Sequence, residues 1–253
     1  MNQQGDVALE RADYGIDAPG VVRNLLLIGV LLLAAAWFLP VVRLGPVNFK
    51  LRPTALATGS ACLFEGLLML LYAKNGKFHH RDRMLGMLQW TGTETVLDVG
   101  TGRGLLMIGA AKRLSTGKAI GIDVWNAQDL SGNRAERTLR NAEIEGVSGR
   151  VEVRDGDAVA MSFADGTFDV VLSNLCLHNI PAAEKRDQAC REIARVLKPG
   201  GTALISDYKN TSAYQRAFQA AGLEARRTGM YVGRVFPPLR IVTAKKPAAA
   251  LGA

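Results

Sequence analysis

The stretch VLDVGTGRG, residues 96–104, sets glycines at 100, 102 and 104 directly behind an apolar run. Such a run, closed by alternating glycines, reads as a buried strand that ends in a bare turn. Glycine lets that turn bend tightly and lets a ligand approach the main chain with no Cβ in the way. In an open α/β sheet, ligands lie beyond the carboxyl ends of the strands, and the first strand-to-helix turn is the usual cradle. Spacing narrows the choice of ligand. A dinucleotide turn wants G-x-G-x-x-G, but here the third glycine comes one residue early and Leu105 takes its place. No G-K-[ST] follows, which excludes a P-loop.

Downstream, short β-branched runs alternate with longer amphipathic ones. ETVLDVG reads as a strand with GLLMIGAAKRL as its helix, and KAIGIDV as the second strand before the helical RAERTLRNAEIEG. GRVEVRDGD and TFDVVLSNL are further strands, followed by the helix AEKRDQACREIARVL, the strand GTALISDY and the helix SAYQRAFQAAGL. EARRTGM and RVFPPLRIVTAKK close the series as strands. This order predicts an α/β fold: a Rossmann-like, open, mostly parallel seven-stranded sheet with helices on both faces. Asp123 ends the second strand, where an acid can accept hydrogen bonds from the two hydroxyls of a ribose. Asp157, in the GDA that ends the third strand, and the main chain at Ala158 can meet an adenine edge. Asp98 and Asp157 also suit capping of the turn or helix behind them. Trp125 is placed either to stack on an adenine or to serve as a structural ring.

From about residue 84 to 242 the chain resembles a class I S-adenosylmethionine-dependent methyltransferase of the small-molecule type. VLDVGTGRG is similar to that family's first motif, GIDV to its acidic second-strand end, GDAVAMSFADGTFDVV to its third and fourth strands, and EIARVLKPGGTALISD to its helix, turn and fifth strand. The resemblance implies S-adenosyl-L-methionine as cofactor, with Gly100, Gly102 and Gly104 beside its methionine part and Asp98 near its amino group. It puts Asp123 on the ribose and Asp157 with Ala158 at the adenine, and Val124 and Asn174 join these as expected cofactor contacts. The quinone-biosynthesis C-methyltransferases are similar over this half, but the apolar N-terminal segment departs from them.

Methyl transfer requires a nucleophile aligned behind an activated methyl in a site that excludes water. It needs no metal and no covalent enzyme intermediate, and a base only where the nucleophile arrives protonated. Behind the fourth strand, SNLCLHNI lacks the Asn-Pro-Pro-Tyr type of motif with which one family branch grips amide or nucleobase nitrogens. His178 stands where small-molecule relatives often place a histidine and is the expected catalytic base; the alternative is packing beneath the cofactor. His79 and His80 adjoin a basic cluster, KNGKFHHRDR, and read as surface residues; adjacent helical positions point apart, and no third ligand stands at metal-binding spacing.

The N-terminal segment has a different character. Leu25–Val42 carries no charge and is close to the ~20 residues that span a bilayer. Thr54–Ala73 is a second such run, broken only by Glu65, which is either a site group within the membrane or a neutralised acid without a task. Acidic rather than basic residues precede the first run, against a secretory signal. The expected organisation is a tail at 1–20, a transmembrane hairpin within 21–75 with helices at 25–42 and 54–73, the alternative being a single span by the first, which the distribution of Lys and Arg slightly favours, then a basic linker and entry helix at 76–92, the catalytic domain at 93–244 and a flexible tail at 245–253. The insert WNAQDLSGN, residues 125–133, is longer than a tight connection needs and reads as a lid or an extended helix entry.

A net charge of +8 without a long block of one sign excludes a nucleic-acid arm, and the basic cluster behind the apolar segment suits an anionic membrane surface. Three cysteines with neither C-x-x-C nor paired spacing exclude a disulfide scaffold and a structural zinc site. The expected partners are a small lipophilic acceptor and the bilayer, with the catalytic domain facing the cytoplasm. Two rivals stand beside this reading: a membrane-anchored protein that binds the cofactor without catalysis, and a nicotinamide-dependent oxidoreductase, which the glycine spacing disfavours.

Overall fold

Helix α1 (Pro19–Ala35) opens the N-terminal half of the computed structural model, which describes residues 10–44 and 47–248. It stops at Ala35 rather than Val42, and Pro40 bars any helical continuation into the residues behind it. The chain turns through Trp37 and Phe38 into an antiparallel hairpin of β1 (Val41–Leu44) and β2 (Val47–Lys50). Helix α2 (Leu51–Leu71) then packs back along α1. A Cβ on Gly29 would lie 2.6 Å from the Leu63 side chain and 2.9 Å from the Gly59 carbonyl, and one on Gly66 2.9 Å from Leu26. Their absence lets the two backbones approach, as small residues do where apolar helices cross. On the outside Leu27, Leu31, Leu56, Phe64 and Leu67 are exposed.

One turn of π-helix (Tyr72–Gly76) joins α2 to α3 (Lys77–Leu85), so that Leu51–Leu85 is a continuous helix, the one described helix long and apolar enough to cross a membrane. The 17 residues of α1 reach about 25 Å, short of the ~30 Å hydrocarbon core. The two spanning helices expected at 25–42 and 54–73 are thus one long helix and one shorter one.

Strands β3 (Thr95–Val99), β4 (Lys118–Asp123), β5 (Val151–Asp155), β6 (Phe168–Asn174) and β7 (Leu197–Asp207) run parallel, and β8 (Glu224–Arg227) and β9 (Arg240–Lys245) complete the sheet, β9 antiparallel to both its neighbours. The order is β5-β4-β3-β6-β7-β9-β8. Helices α4 (Leu105–Ala111), α5 (Ala135–Ile144), α6 (Ala183–Val196) and α7 (Thr211–Ala220) cover it. Alternation along β3 sorts the faces: Leu97 and Val99 join Ile193 and Phe218 in one core, while Val96 joins Met107, Ile108, Met84 and Leu85 in the other. Strand order reverses at β3, which opens a crevice at the carboxyl ends of β3, β4 and β6.

Three N-terminal expectations change. Residues 10–18, expected as part of a free tail, lie against the sheet domain: the Ala18 amide donates to the Asp129 carbonyl at 2.8 Å and the Ile16 amide to Ser131 Oγ at 2.8 Å. His80 is not a surface residue; it is 1% exposed with Nε2 2.6 Å from Ser206 Oγ, and burial, aided by the charge of Arg83, lowers its pKa to about 4. His79 is exposed, as expected, beside Arg234. Lys77, in the expected basic surface patch, is 3% exposed. Positions 77, 80 and 84 share the inward face of α3, which the charge count alone could not reveal. Residues 1–9 and 249–253, the ends of the expected tails, lie outside the described residues; Lys246 is held to the Ala194 and Leu197 carbonyls.

Candidate active site

The bare turn sits where the crevice opens. Gly100 and Gly102 have φ of +71° and +54°, and a Cβ on Gly100 would lie 2.2 Å from Cys176 Sγ. Both glycines line a cavity of about 230 Å³ together with Asp98, Asp123, Val124, Asp157, Ala158 and Asn174. Gly104 does not line it; with φ +85° it is the N-cap of α4, packed toward Ile108 and Thr138. Trp125 is also absent from the lining, its indole N–H donating to Asp155 Oδ1 at 2.6 Å.

Asp98 points to the α4 face of the sheet, where Oδ2 accepts from Thr101 Oγ1 and the Met107 amide, each at 2.9 Å. Burial outweighs these bonds and pushes its pKa up to about 7. Asp123 Oδ2 accepts from the Gly102 amide at 2.8 Å, and Oδ1 from the Trp125 amide at 2.7 Å and Asn133 Nδ2 at 3.1 Å. A carboxylate has about four acceptor positions, so one stays open toward a ligand. Asp157 Oδ1 accepts from the Val159 amide at 3.0 Å, a local turn with no helix behind it.

Sequence reasoning missed the opposite wall, where Tyr14, Asp17, Tyr72 and Lys77 complete the cavity. Residues 10–18 reach it as a strap. The Asp13 amide donates to Asn141 Oδ1 at 2.9 Å, Asn141 Nδ2 returns a bond to the Asp13 carbonyl at 2.9 Å, and Arg103 pairs with the Asp13 carboxylate. Lys77 Nζ donates to the carbonyls of Tyr14 and Gly15 and lies 3.7 Å from Asp17. The insert at 125–133 lies between strap and sheet, with Asn126, Asp129, Leu130 and Asn133 in the lining.

A second cavity, about 360 Å³, adjoins the first and shares Asp17, Tyr72, Asp129, Leu175 and Asn179 with it. Val21 and Leu25 of α1 and Glu65 and Met69 of α2 form one wall; His178, Tyr208 and Phe236 form the other. His178 Nδ1 is 2.9 Å from Oδ1 of the fully buried Asp207, whose Oδ2 also accepts from Tyr214 Oη at 3.3 Å. The pair is a close contact without hydrogen-bond geometry at Nδ1, and the His178 amide donates to Asp207 Oδ2 at 3.2 Å; a carboxylate this near favours a proton on Nδ1 and leaves Nε2 as the acceptor. Cys176 is no competing nucleophile, because burial pushes its thiol far above neutrality. Among the described residues no group of three His, Cys, Asp or Glu could hold a metal ion.

Residues 97–205 match a family model described as a methyltransferase domain. The demethylmenaquinone methyltransferase of Lactobacillus johnsonii is 32% identical over 53% of this chain and 50% of its own length. The ubiquinone/menaquinone biosynthesis C-methyltransferase of Dinoroseobacter shibae is 26% identical over 64% of this chain and 59% of its own. The chain spans about half the length of the curated relatives it matches. Among solved structures, the YcgJ protein from Bacillus subtilis superposes with a TM-score of 0.56 at 18% identity, covering 68% of this chain and all of the other, a likeness of fold. Motif, sheet order and family model agree over residues 97–205, where this chain is similar to methyltransferase domains.

Proposed function

We propose that this chain methylates a small lipophilic acceptor at a membrane, with S-adenosylmethionine as the donor. One observation carries the reading: two adjoining cavities share a boundary, and both apolar helices wall the second.

The first cavity suits the cofactor. Asn133 Oδ1 and Asn174 Oδ1 are buried on its lining without hydrogen-bond partners, and the glycine turn leaves the main chain bare. Buried orphan acceptors call for N–H and O–H donors, which an ammonium, two ribose hydroxyls and an adenine amine provide. In this reading Asp98 and Asn174 take the amino group, Asp123 the ribose, and Asp157 with Ala158 the adenine edge; Val124 and the turn at Gly100 and Gly102 line the remainder. Bound there, the sulfonium supplies an activated methyl and a good leaving group. His178 accepts the acceptor's proton at Nε2 with the Asp207 carboxylate 2.9 Å from Nδ1. Leu175 and Tyr72, at the shared boundary, help to exclude water.

The membrane part of the reading rests on the hairpin. Its outer face is apolar, and at its tip Trp37 and Phe38 are 75% and 88% exposed. A contiguous apolar face of this kind suits a bilayer, and Lys74 and Arg83 behind α2 suit the cytoplasmic side. Tethering of this kind concentrates a substrate that partitions into lipid.

The test supplies labelled cofactor to the full chain with membrane-lipid and water-soluble extracts, with Asp123→Ala as control. Label passing into the lipid fraction is the expected result. Label confined to soluble metabolites overturns the lipophilic acceptor, and cofactor binding without turnover on any extract makes the protein a binder instead.

A further inference from the structure

We propose that the acceptor is a lipophilic amine, methylated on nitrogen. This deepens the reading of the second cavity as the acceptor chamber and rests on it.

The chamber's charges have one sign. Asp17, Glu65 and Asp129 line it beside His178, and among the described lining residues there is no lysine or arginine. The nearest cations sit outside: Lys77 is buried on the Tyr14 and Gly15 carbonyls and offsets Asp17 alone, and Lys209 Nζ lies 5.2 Å from the centre of the Tyr208 ring. Asp17 Oδ2 is buried with no hydrogen-bond partner, at the boundary shared with the cofactor cavity. An N–H donor placed there satisfies it. Tyr72, Tyr208 and Phe236 add aromatic faces, which attract an ammonium through the ring quadrupole.

These groups discriminate between acceptor chemistries. A phenolate or enolate, the nucleophile of O- or C-methylation, would bring a further negative charge beside Glu65 and Asp129 with Asp17 offset by Lys77, in surroundings where burial already raises the pKa of Asp17 and Asp129, so its ionised form is disfavoured. An amine meets the reverse situation. Bound as an ammonium, it first gives a proton to Nε2 of His178; the lone pair so freed would form the new N–C bond while the pair of the breaking S–C bond stays on sulfur. The positive charge carried by sulfur thus passes to nitrogen, beside carboxylates that stabilise it. His178 passes that proton on to solvent, and the methylated amine leaves as a cation.

The experiment compares 4-octylbenzylamine with 4-octylphenol, ligands of one tail and two head groups, on the full chain in nanodiscs loaded with S-adenosylhomocysteine. Binding is followed by calorimetry and methyl transfer by labelled cofactor. The amine is expected to bind at least roughly tenfold more tightly. The double variant Glu65→Gln, Asp129→Asn is expected to weaken the amine by about tenfold and to leave the phenol unchanged. A phenol that binds as well as the amine, amine binding indifferent to the double variant, or no binding of either ligand overturns the assignment. Methyl transfer to the phenol would do so while leaving the methyltransferase reading intact; absence of cofactor binding to the unmodified chain would remove that reading as well.

Discussion

The buried carboxylate of Asp207, at the end of β7, lies 2.9 Å from Nδ1 of His178, the one histidine lining the second cavity, and accepts from the His178 amide at 3.2 Å. A carboxylate so placed stabilises the imidazolium that forms when the ring takes a proton. General-base catalysis contributes about 10²–10⁴ in rate, so His178→Ala should lower kcat by that order with the Kd for the cofactor unchanged. Asp207→Asn keeps the volume and one acceptor oxygen, for the Tyr208 amide, and removes the negative charge beside Nδ1; it should lower kcat by at least about tenfold at unchanged cofactor Kd. Single-turnover kinetics beside calorimetry checks both, and a loss in Kd alone would assign the pair to packing.

Asp98 links cofactor binding to pH. Burial holds its pKa near 7 in the free protein, and an ammonium placed against it favours the charged form. Binding therefore expels a proton wherever Asp98 is protonated beforehand, and affinity should rise with pH up to about 7 and then level off. The slope approaches about tenfold per pH unit on the acid side. Calorimetry in buffers of different ionisation enthalpy measures the released proton directly; Asp98→Asn should abolish it. The same shift runs the other way for stability: a raised carboxyl pKa favours the folded state below the unfolded pKa near 4, and that contribution is lost as pH rises toward 7.

What the sequence disclosed of the site follows from where the information lies. Asp98, Gly100, Gly102, Asp123, Asp157 and Ala158 sit at strand ends within a repeating pattern, and the pattern alone places them together. Asp207 obeys the same rule, an acid closing the fifth parallel strand, and could have been found by it. Tyr14, Asp17, Tyr72 and Lys77 carry no such signal. They reach the cavity through a strap and a π-turn whose contacts span 62 to 131 positions along the chain. Hydropathy finds α1 and α2 but not the β-hairpin between them, where the proline effect on the preceding residue outweighs apolar character.

Gly100 and Gly104 separate binding from folding. A Cβ at Gly100 would meet Cys176 Sγ at 2.2 Å inside the cavity. Gly100→Ala should therefore weaken cofactor binding by at least about tenfold, on top of the cost of about 1–2 kcal/mol for a non-glycine residue at positive φ. Gly104, outside the lining, has φ +85° and would meet Ile108 and Thr138 at 2.9 Å. Gly104→Ala should lower stability by about 1–3 kcal/mol through strain and overpacking, with little loss of affinity in the folded fraction. Urea unfolding set against calorimetry at saturating protein distinguishes the two; equal losses of affinity would put Gly104 in the site after all.

The strap makes the hairpin part of cofactor binding. Residues 10–18 cover the first cavity and run directly into α1, and their main-chain oxygens at Tyr14 and Gly15 are held by Lys77, the first residue of α3 in the last turns of the long helix. Lys77→Met preserves most of the buried stem but removes the donors, leaving two carbonyls and Asp17 without their cation. An unpaired buried polar group costs about 1–3 kcal/mol, a penalty the strap can escape by opening. Opening exposes the cofactor cavity, so the variant should release S-adenosylmethionine at least about tenfold faster by stopped-flow, by the same free-energy scale. Hydrogen exchange should rise at residues 10–18 and stay unchanged in β3 and β4. A faster release without added exchange in the strap would mean that Lys77 holds the ligand itself, not the segment above it.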